Sequence, residues 1–161
     1  MSSGELLKVT IAETMVLTIY ILFLVLRFGV LKSISSSTYK LQGNWSYLFT
    51  VTLITLAILN MMQGLEIWGF LASVGLMFTG ATINFKPNDH SYEDEIHAVS
   101  AVTIIACSML GIGFVWGYWI VPGLFGLSAL TVIESKNRIW WIEIMAFGFI
   151  MATYFYRALF V

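Results

Sequence analysis

The sequence predicts an all-α fold, a polytopic transmembrane bundle of six helical spans that forms one domain over residues 1–161. Apolar residues make up 59% of the chain and charged residues only 11%, whereas about 25% of a soluble domain is charged. A chain of 18.1 kDa has too little interior to bury so much apolar surface. We therefore expect a multi-pass protein of a cell membrane, in bacterial terms the inner membrane.

The composition also excludes several classes of protein. A single cysteine, Cys107, rules out a disulfide scaffold. A net charge of −1 argues against a nucleic-acid partner. The partners that we expect are membrane lipid and a small polar ligand, and the sequence leaves open a second copy of the chain.

Four apolar stretches are long enough for single crossings, because a membrane helix needs about 20 apolar residues. Glu13 lies near the start of the first stretch and Arg27 near its end. No cleavage pattern follows this stretch, so we expect it to remain in the mature protein. The four stretches are residues 9–31, 45–62, 67–85 and 139–160.

A fifth stretch, residues 98–133, contains no Asp, Glu, Lys, Arg or His. As one helix it would be about 54 Å long at ~1.5 Å per residue, too long for one crossing. Turn-forming and interfacial residues at 117–123 predict a hairpin that divides it into two helices. The second of these, residues 121–133, is short, so five spans plus a re-entrant segment is the alternative.

The distribution of positive charge predicts the orientation. Six of the eight Lys and Arg residues lie around the first, third and fifth loops, and only Lys8 and Arg157 lie near the other side. Lys and Arg are enriched in short cytoplasmic loops. We therefore expect these three loops in the cytoplasm and both termini outside.

The same three loops carry nearly all the polar side chains. The first contains a serine-rich run at 33–37, the third is polar from 88 to 97, and the fifth is polar from 134 to 138. The second loop offers only Gln63 and Glu66. The sequence thus predicts a polar site at the cytoplasmic end and an apolar opposite end.

The third loop has two interpretations. Asp89 or Ser91 could cap the fourth helix, whose first turn favours the acids that follow. Alternatively, His90, Asp94 and His97 stand at i, i+4 and i+7 on one helical face, where they could hold zinc with a bound water. Apart from this zinc alternative, the sequence indicates no cofactor.

Glu143 lies one turn into the last span, below Trp140 and Trp141, which we interpret as an interfacial aromatic belt. An acid at that depth is expected to face the bundle interior and to find a partner, with His97, Tyr39 and Lys40 as candidates. The alternative is an acid that reaches past the tryptophans to water. At the opposite end, the similar depths of Glu13 and Arg157 predict an ion pair.

Four motifs occur in a recognisable order: Ser-Ile-Ser-Ser-Ser-Thr-Tyr at 33–39, Trp-Ser-Tyr-Leu-Phe-Thr at 45–50, His-Ala-Val-Ser-Ala at 97–101 and Trp-Ile-Glu at 141–143. This order resembles the Frag/DRAM/Sfk-like six-span membrane protein family, including its small bacterial relatives. Some members of that family are linked to lipid-anchor remodelling and autophagy. The resemblance implies that Ser35, Tyr39, His97 and Glu143 form one shared ligand-binding site.

A more distant similarity is to membrane hydrolases that include the alkaline ceramidases, which place a serine, an aspartate and three histidines around zinc. This chain departs from that pattern, because it has two histidines and no His-x-x-x-His pair.

Three functions follow as hypotheses. The first is a membrane protein whose cytoplasm-facing site binds a lipid headgroup or small polar ligand. The second is a metal-assisted lipid hydrolase in which His90, Asp94 and His97 hold the ion and Glu143 takes a proton from the bound water. The third is a proton-coupled small-molecule carrier that uses Glu143 and Glu13. The sequence leaves open whether any reaction is catalysed.

Overall fold

The computed structural model describes residues 2–41, 45–81 and 90–161, without the side chains of residues 38, 39, 46 and 90–98. Within these ranges the chain is helical and contains no strand, which confirms the predicted all-α class. The elements are α1 (Ser3–Phe28), a 3-10 helix (Ser35–Tyr39), α2 (Ser46–Met61), α3 (Glu66–Ala81), α4 (His90–Trp116), α5 (Ile120–Thr131) and α6 (Arg138–Phe160).

Three of the described helices are long and apolar enough to cross a membrane: α1, the part of α4 from Val99 to Trp116, and α6. The helices α2 and α3 have 16 residues each and α5 has 12. At ~1.5 Å per residue these lengths correspond to about 24 Å and 18 Å, short of the ~30 Å hydrocarbon layer. Crossing by all six helices therefore stays a prediction.

Helix α1 begins and ends earlier than the predicted span of residues 9–31. A capping box explains its start, because the Ser2 hydroxyl accepts from the Glu5 N–H while the Glu5 carboxylate accepts from the Ser2 N–H. The helix ends before Gly29, whose φ of 72° suits a residue without a side chain.

The predicted division of residues 98–133 is confirmed. Helix α4 ends at Trp116, and Gly117 turns the chain with a φ of 76°. Pro122 does not belong to the turn. It lies in the first turn of α5, where a helix can accommodate a residue that lacks an N–H.

Helix α3 lies between α2 and α4, α1 packs against α2 and α6, and α5 lies outside against α4 and α6. The approach of α3 to α4 is close at Gly75. A Cβ atom there would come within 2.9 Å of Ile104 Cγ1 and 3.1 Å of the Ser100 carbonyl oxygen. Glycine thus lets two backbones meet, as small residues do between membrane helices.

The hydrogen bonds between elements define the two ends of the bundle. At one end, the Trp140 N–H of α6 donates to the Lys32 carbonyl (3.1 Å), and Thr50 Oγ1 of α2 donates to the Gly80 carbonyl of α3 (2.6 Å). We call this the Glu143 end. At the other end, Arg157 Nη1 of α6 donates to the Gln63 carbonyl after α2 (2.6 Å). We call this the Gln63 end.

Replacing Gly75 by leucine should destabilise the bundle. The side chain would overlap Ile104 and the α4 backbone, and overpacking of this kind costs about 1–3 kcal/mol. Gly126→Leu is the matched control, because nothing lies within 4 Å of a Cβ atom at Gly126. Thermal unfolding in detergent should give a lower midpoint for Gly75→Leu alone. Equal midpoints for the two variants would contradict the close approach.

Candidate functional site

Glu143 joins α6 to the first connection. Its side chain is 8% exposed, and Oε2 accepts a hydrogen bond from the Ile34 N–H at 2.5 Å. One turn earlier, the Trp140 N–H donates to the Lys32 carbonyl. That N–H belongs to the first turn of α6, where no partner exists within the helix. The expectation of an inward, partnered Glu143 is confirmed, and the partner is a backbone amide.

The two tryptophans beside Glu143 differ from each other. Trp141 is exposed, as an interfacial belt requires, whereas Trp140 is buried in the core. The interpretation of Trp140 as a belt residue is therefore wrong. Helix α6 begins at Arg138. Trp140 and Glu143 are three residues apart in it, so both lie on the face that is turned towards the other helices.

The serines of the first connection mainly bind one another. The hydroxyls of Ser33 and Ser35 are 2.9 Å apart, and Ser33 Oγ also accepts from the Ser36 N–H at 3.0 Å. The buried Ser37 hydroxyl lies 2.6 Å from the Tyr20 hydroxyl of α1. These bonds give the connection a fixed shape, and they hold Ser35 beside Glu143 in a buried position.

A cavity of about 40 Å³ lies next to Glu143. Among the described residues, its polar side chains come from Ser35, Thr79 and Glu143, and the others that line it are apolar. Such a volume admits a few water molecules or one small polar group. The remaining lining residues are Ile34, Phe49, Leu53, Leu76, Ala101, Ile104, Ile105 and Phe147.

The other predicted ligand residues, Tyr39 and His97, have side chains outside the described part of the structure. Their backbones are described. Tyr39 ends the 3-10 helix that begins at Ser35. His97 lies in α4, four and seven positions before the cavity residues Ala101 and Ile104.

The zinc alternative involves residues in the same part of α4. His90, Asp94 and His97 all lie within the helix, but their side chains are outside the described part. Among the residues that the structure does describe, no three His, Cys, Asp or Glu side chains come together as a metal site. The zinc site therefore stays a prediction.

The Gln63 end is not apolar, contrary to the expectation from the sequence. Gln63 is fully buried there, and its Nε2 donates to Glu13 Oε2 at 2.8 Å. Glu13 itself is 3% exposed. The Thr10 hydroxyl lies 3.3–3.4 Å from the Gln63 amide. A second buried carboxylate is thus held by protein groups at the end opposite to Glu143.

The predicted ion pair between Glu13 and Arg157 is wrong. Arg157 Nη1 donates to the Gln63 carbonyl at 2.6 Å, and its guanidinium lies 4.3 Å from the centroid of the Trp116 ring. Carbonyls after the last turn of a helix lack partners and attract cations, which explains this choice. Both charged residues therefore contact Gln63, one through its side chain and one through its backbone.

A third polar group joins α2, α3 and α6 nearby. The Tyr154 hydroxyl donates to Asn60 Oδ1 at 2.7 Å, and Asn60 Nδ2 donates to Ser73 Oγ at 3.0 Å and to the Gly69 carbonyl at 3.2 Å. The sequence contained a signal for this group, because Asn60 and Gln63 stand three residues apart at the end of an apolar span. Such amides commonly bridge membrane helices.

Tyr154→Phe should lower the stability of the protein by about 1–3 kcal/mol, because it leaves the buried Asn60 Oδ1 without its donor. Tyr156→Phe is the control, since Tyr156 is exposed on the same helix. Equilibrium unfolding in mixed micelles measures both. A Tyr154→Phe variant as stable as Tyr156→Phe would argue against the bond.

Comparison with known proteins assigns no family. No protein-family model, no curated protein and no solved structure matches the chain. The resemblance to the Frag/DRAM/Sfk-like family therefore depends on the four short motifs alone and stays a prediction.

Proposed function

We propose that this chain is a multi-pass membrane protein whose Glu143 cavity binds a small polar group, supplied by a membrane lipid headgroup or by a small polar ligand. The observation that carries the proposal is the position of Glu143. It is a buried carboxylate on α6 that shares a cavity wall with Ser35 of the first connection. Buried acids at membrane depth commonly mark functional sites.

The chemistry of the cavity favours a hydrogen-bond donor as the bound group. A carboxylate accepts hydrogen bonds and attracts positive charge, and the Ser35 hydroxyl adds a further polar partner. The volume of about 40 Å³ is too small for a whole headgroup, so only a terminal group would enter. A primary ammonium group fits both conditions. The ethanolamine headgroup of a phospholipid carries one, and so does a free amine.

Tyr39 and His97 complete the proposed binding site. Tyr39 is at the end of the 3-10 helix that contains Ser35, and His97 precedes the cavity residue Ala101 by one helical turn. We assign them to the rim of the cavity on these chain positions. No metal or other cofactor is part of this proposal.

We further propose that all six helices cross the membrane, with the Glu143 end in the cytoplasm. Six of the eight Lys and Arg residues flank the connections of that end. The hydrogen bonds that join the start of α6 to the first connection, and α2 to the end of α3, support a common side for these connections. The 12-residue α5 is the weakest span and would be the re-entrant segment in a five-span protein.

The topology predicts opposite labelling of two single-cysteine variants. Cys107 is first replaced by alanine, and then Glu66→Cys and Lys136→Cys are made, because both positions are exposed. A membrane-impermeant maleimide should label the Glu66→Cys variant in intact cells. It should label Lys136→Cys only after permeabilisation. The reverse result would contradict the proposed orientation, and labelling of both variants from outside would contradict the odd number of crossings, by α3, α4 and α5, between them.

The binding proposal predicts a lipid-dependent stability that requires Glu143. Phosphatidylethanolamine added to the detergent-solubilised protein should raise its unfolding midpoint by several degrees, because a ligand that binds only the native state stabilises it. Phosphatidylglycerol should not. Glu143→Gln keeps an oxygen acceptor for the Ile34 N–H and removes the charge, so this variant should lose the shift.

Glu134→Gln is the matched control, because Glu134 is an exposed acid at the same end. It should keep the full shift. Free ethanolamine in the same assay separates the two possible sources of the ammonium group. Equal shifts in Glu143→Gln and in the unmodified protein would refute the proposed site.

A further inference from the structure

Glu143 and Glu13 are buried carboxylates at opposite ends of one bundle interior. Each accepts a hydrogen bond from a residue of the connection at its own end: Glu143 from the Ile34 N–H, and Glu13 from the Gln63 amide. Each also borders a cavity. The one at Glu13 measures about 10 Å³, enough for about one water molecule.

The two cavities are separated by very little protein. Leu76 of α3, Ile104 of α4 and Phe147 of α6 line both cavities, and we call these three residues the collar. Each comes from a different helix, and together they form an apolar layer that borders both cavities. An apolar constriction of this kind controls the entry of water, because it is dry when narrow and wets when it widens.

The distance along α6 between Glu143 and the Glu13 cavity is short. Met151, which lines that cavity, follows Glu143 by eight residues, and this corresponds to about 12 Å at ~1.5 Å per residue. The 40 Å³ cavity beside Glu143 covers part of this distance, and the water-sized space beside Glu13 covers another part. Among the described residues, Leu76, Ile104 and Phe147 are the side chains that border both water-sized spaces.

The groups that face each acid are mostly neutral. Around Glu13 they are Thr10 of its own helix, Gln63 and Asn60 of the α2 side, Ser108 of α4 and the Tyr154 phenol of α6. The charged Arg157 bonds the Gln63 carbonyl instead. Around Glu143 they are the Ile34 amide, Ser35 and Thr79. Neither carboxylate is thus tied to a cation among the described residues.

We infer that Glu143 and Glu13 are the two stations of a proton pathway through the bundle, with the collar as its gate. A proton that binds the Glu143 carboxylate passes by way of water through the wetted collar to the Glu13 carboxylate. It leaves past Gln63 at the opposite end. In the conformation described here, the collar side chains border both cavities.

This pathway uses Glu143 but does not depend on the ammonium binding proposed above. The sequence left a proton-coupled carrier that uses the same two acids as an alternative. The structure adds a cavity beside each acid, and the two cavities share the three collar side chains.

Proton flux into liposomes tests the inference without any added ligand. The purified protein is reconstituted, a valinomycin-dependent potassium gradient drives protons inward, and an entrapped pH dye reports the rate. The unmodified protein should exceed empty liposomes several-fold. Glu13→Gln and Glu143→Gln should each return to the rate of empty liposomes, while Glu134→Gln, an exposed acid, should keep the rate of the unmodified protein.

A substitution in the collar should raise the proton flux, whereas the substitutions of the two acids should lower it. Leu76→Ala widens the gate and should raise the flux several-fold. Leu24→Ala makes the same change at a buried position that lines neither cavity, and it should leave the flux unchanged. A hydrophobic carbodiimide, which couples to protonated carboxyl groups, should block the unmodified protein and thus tests the acids without a mutation. Flux no faster than in empty liposomes, or carboxamide variants that conduct normally, would overturn the pathway even if ammonium binding is intact.

Discussion

A carboxylate that loses contact with water must receive hydrogen bonds from the protein, and this requirement determines how the helices are tied together. Glu143 and Glu13 meet it in the same way, because each accepts from a residue of the connection at its own end. Removing the partner of a buried charge is costly. The two acids therefore attach the first connection to α6 and the second connection to α1.

The same requirement explains the neutral amides. Asn60 bonds groups of α3 and α6, and Gln63 bonds both Glu13 and, through its carbonyl, Arg157. Between helices in lipid, apolar contact alone gives little preference for one neighbour over another. The polar hydrogen bonds determine which helices become neighbours, and glycines such as Gly75 allow their backbones to come close.

The sequence predicted the features of the fold that depend on neighbouring residues alone. Apolar stretches gave the helices, the turn at Gly117 divided the longest stretch, and depth in the membrane indicated an inward Glu143. Pairing between distant residues could not be predicted in this way. Opposite charge alone suggested Glu13 and Arg157 as partners, but the crossing of α1, α2 and α6 brings Gln63 between them. The backbone partner of Glu143 has no side-chain signature at all.

Helix α5 has a consequence for the surrounding lipid. It has 12 residues and none of them is buried; Val121 and Phe125 pack against the edge of the core, and most of the helix surface faces outward. A helix about 18 Å long cannot match a hydrocarbon layer of ~30 Å. In the six-span arrangement proposed above, local thinning of the bilayer on that flank would relieve the mismatch. In that arrangement the protein would be asymmetric towards its lipid shell, with full-thickness membrane along α1 and a compressed patch beside α5.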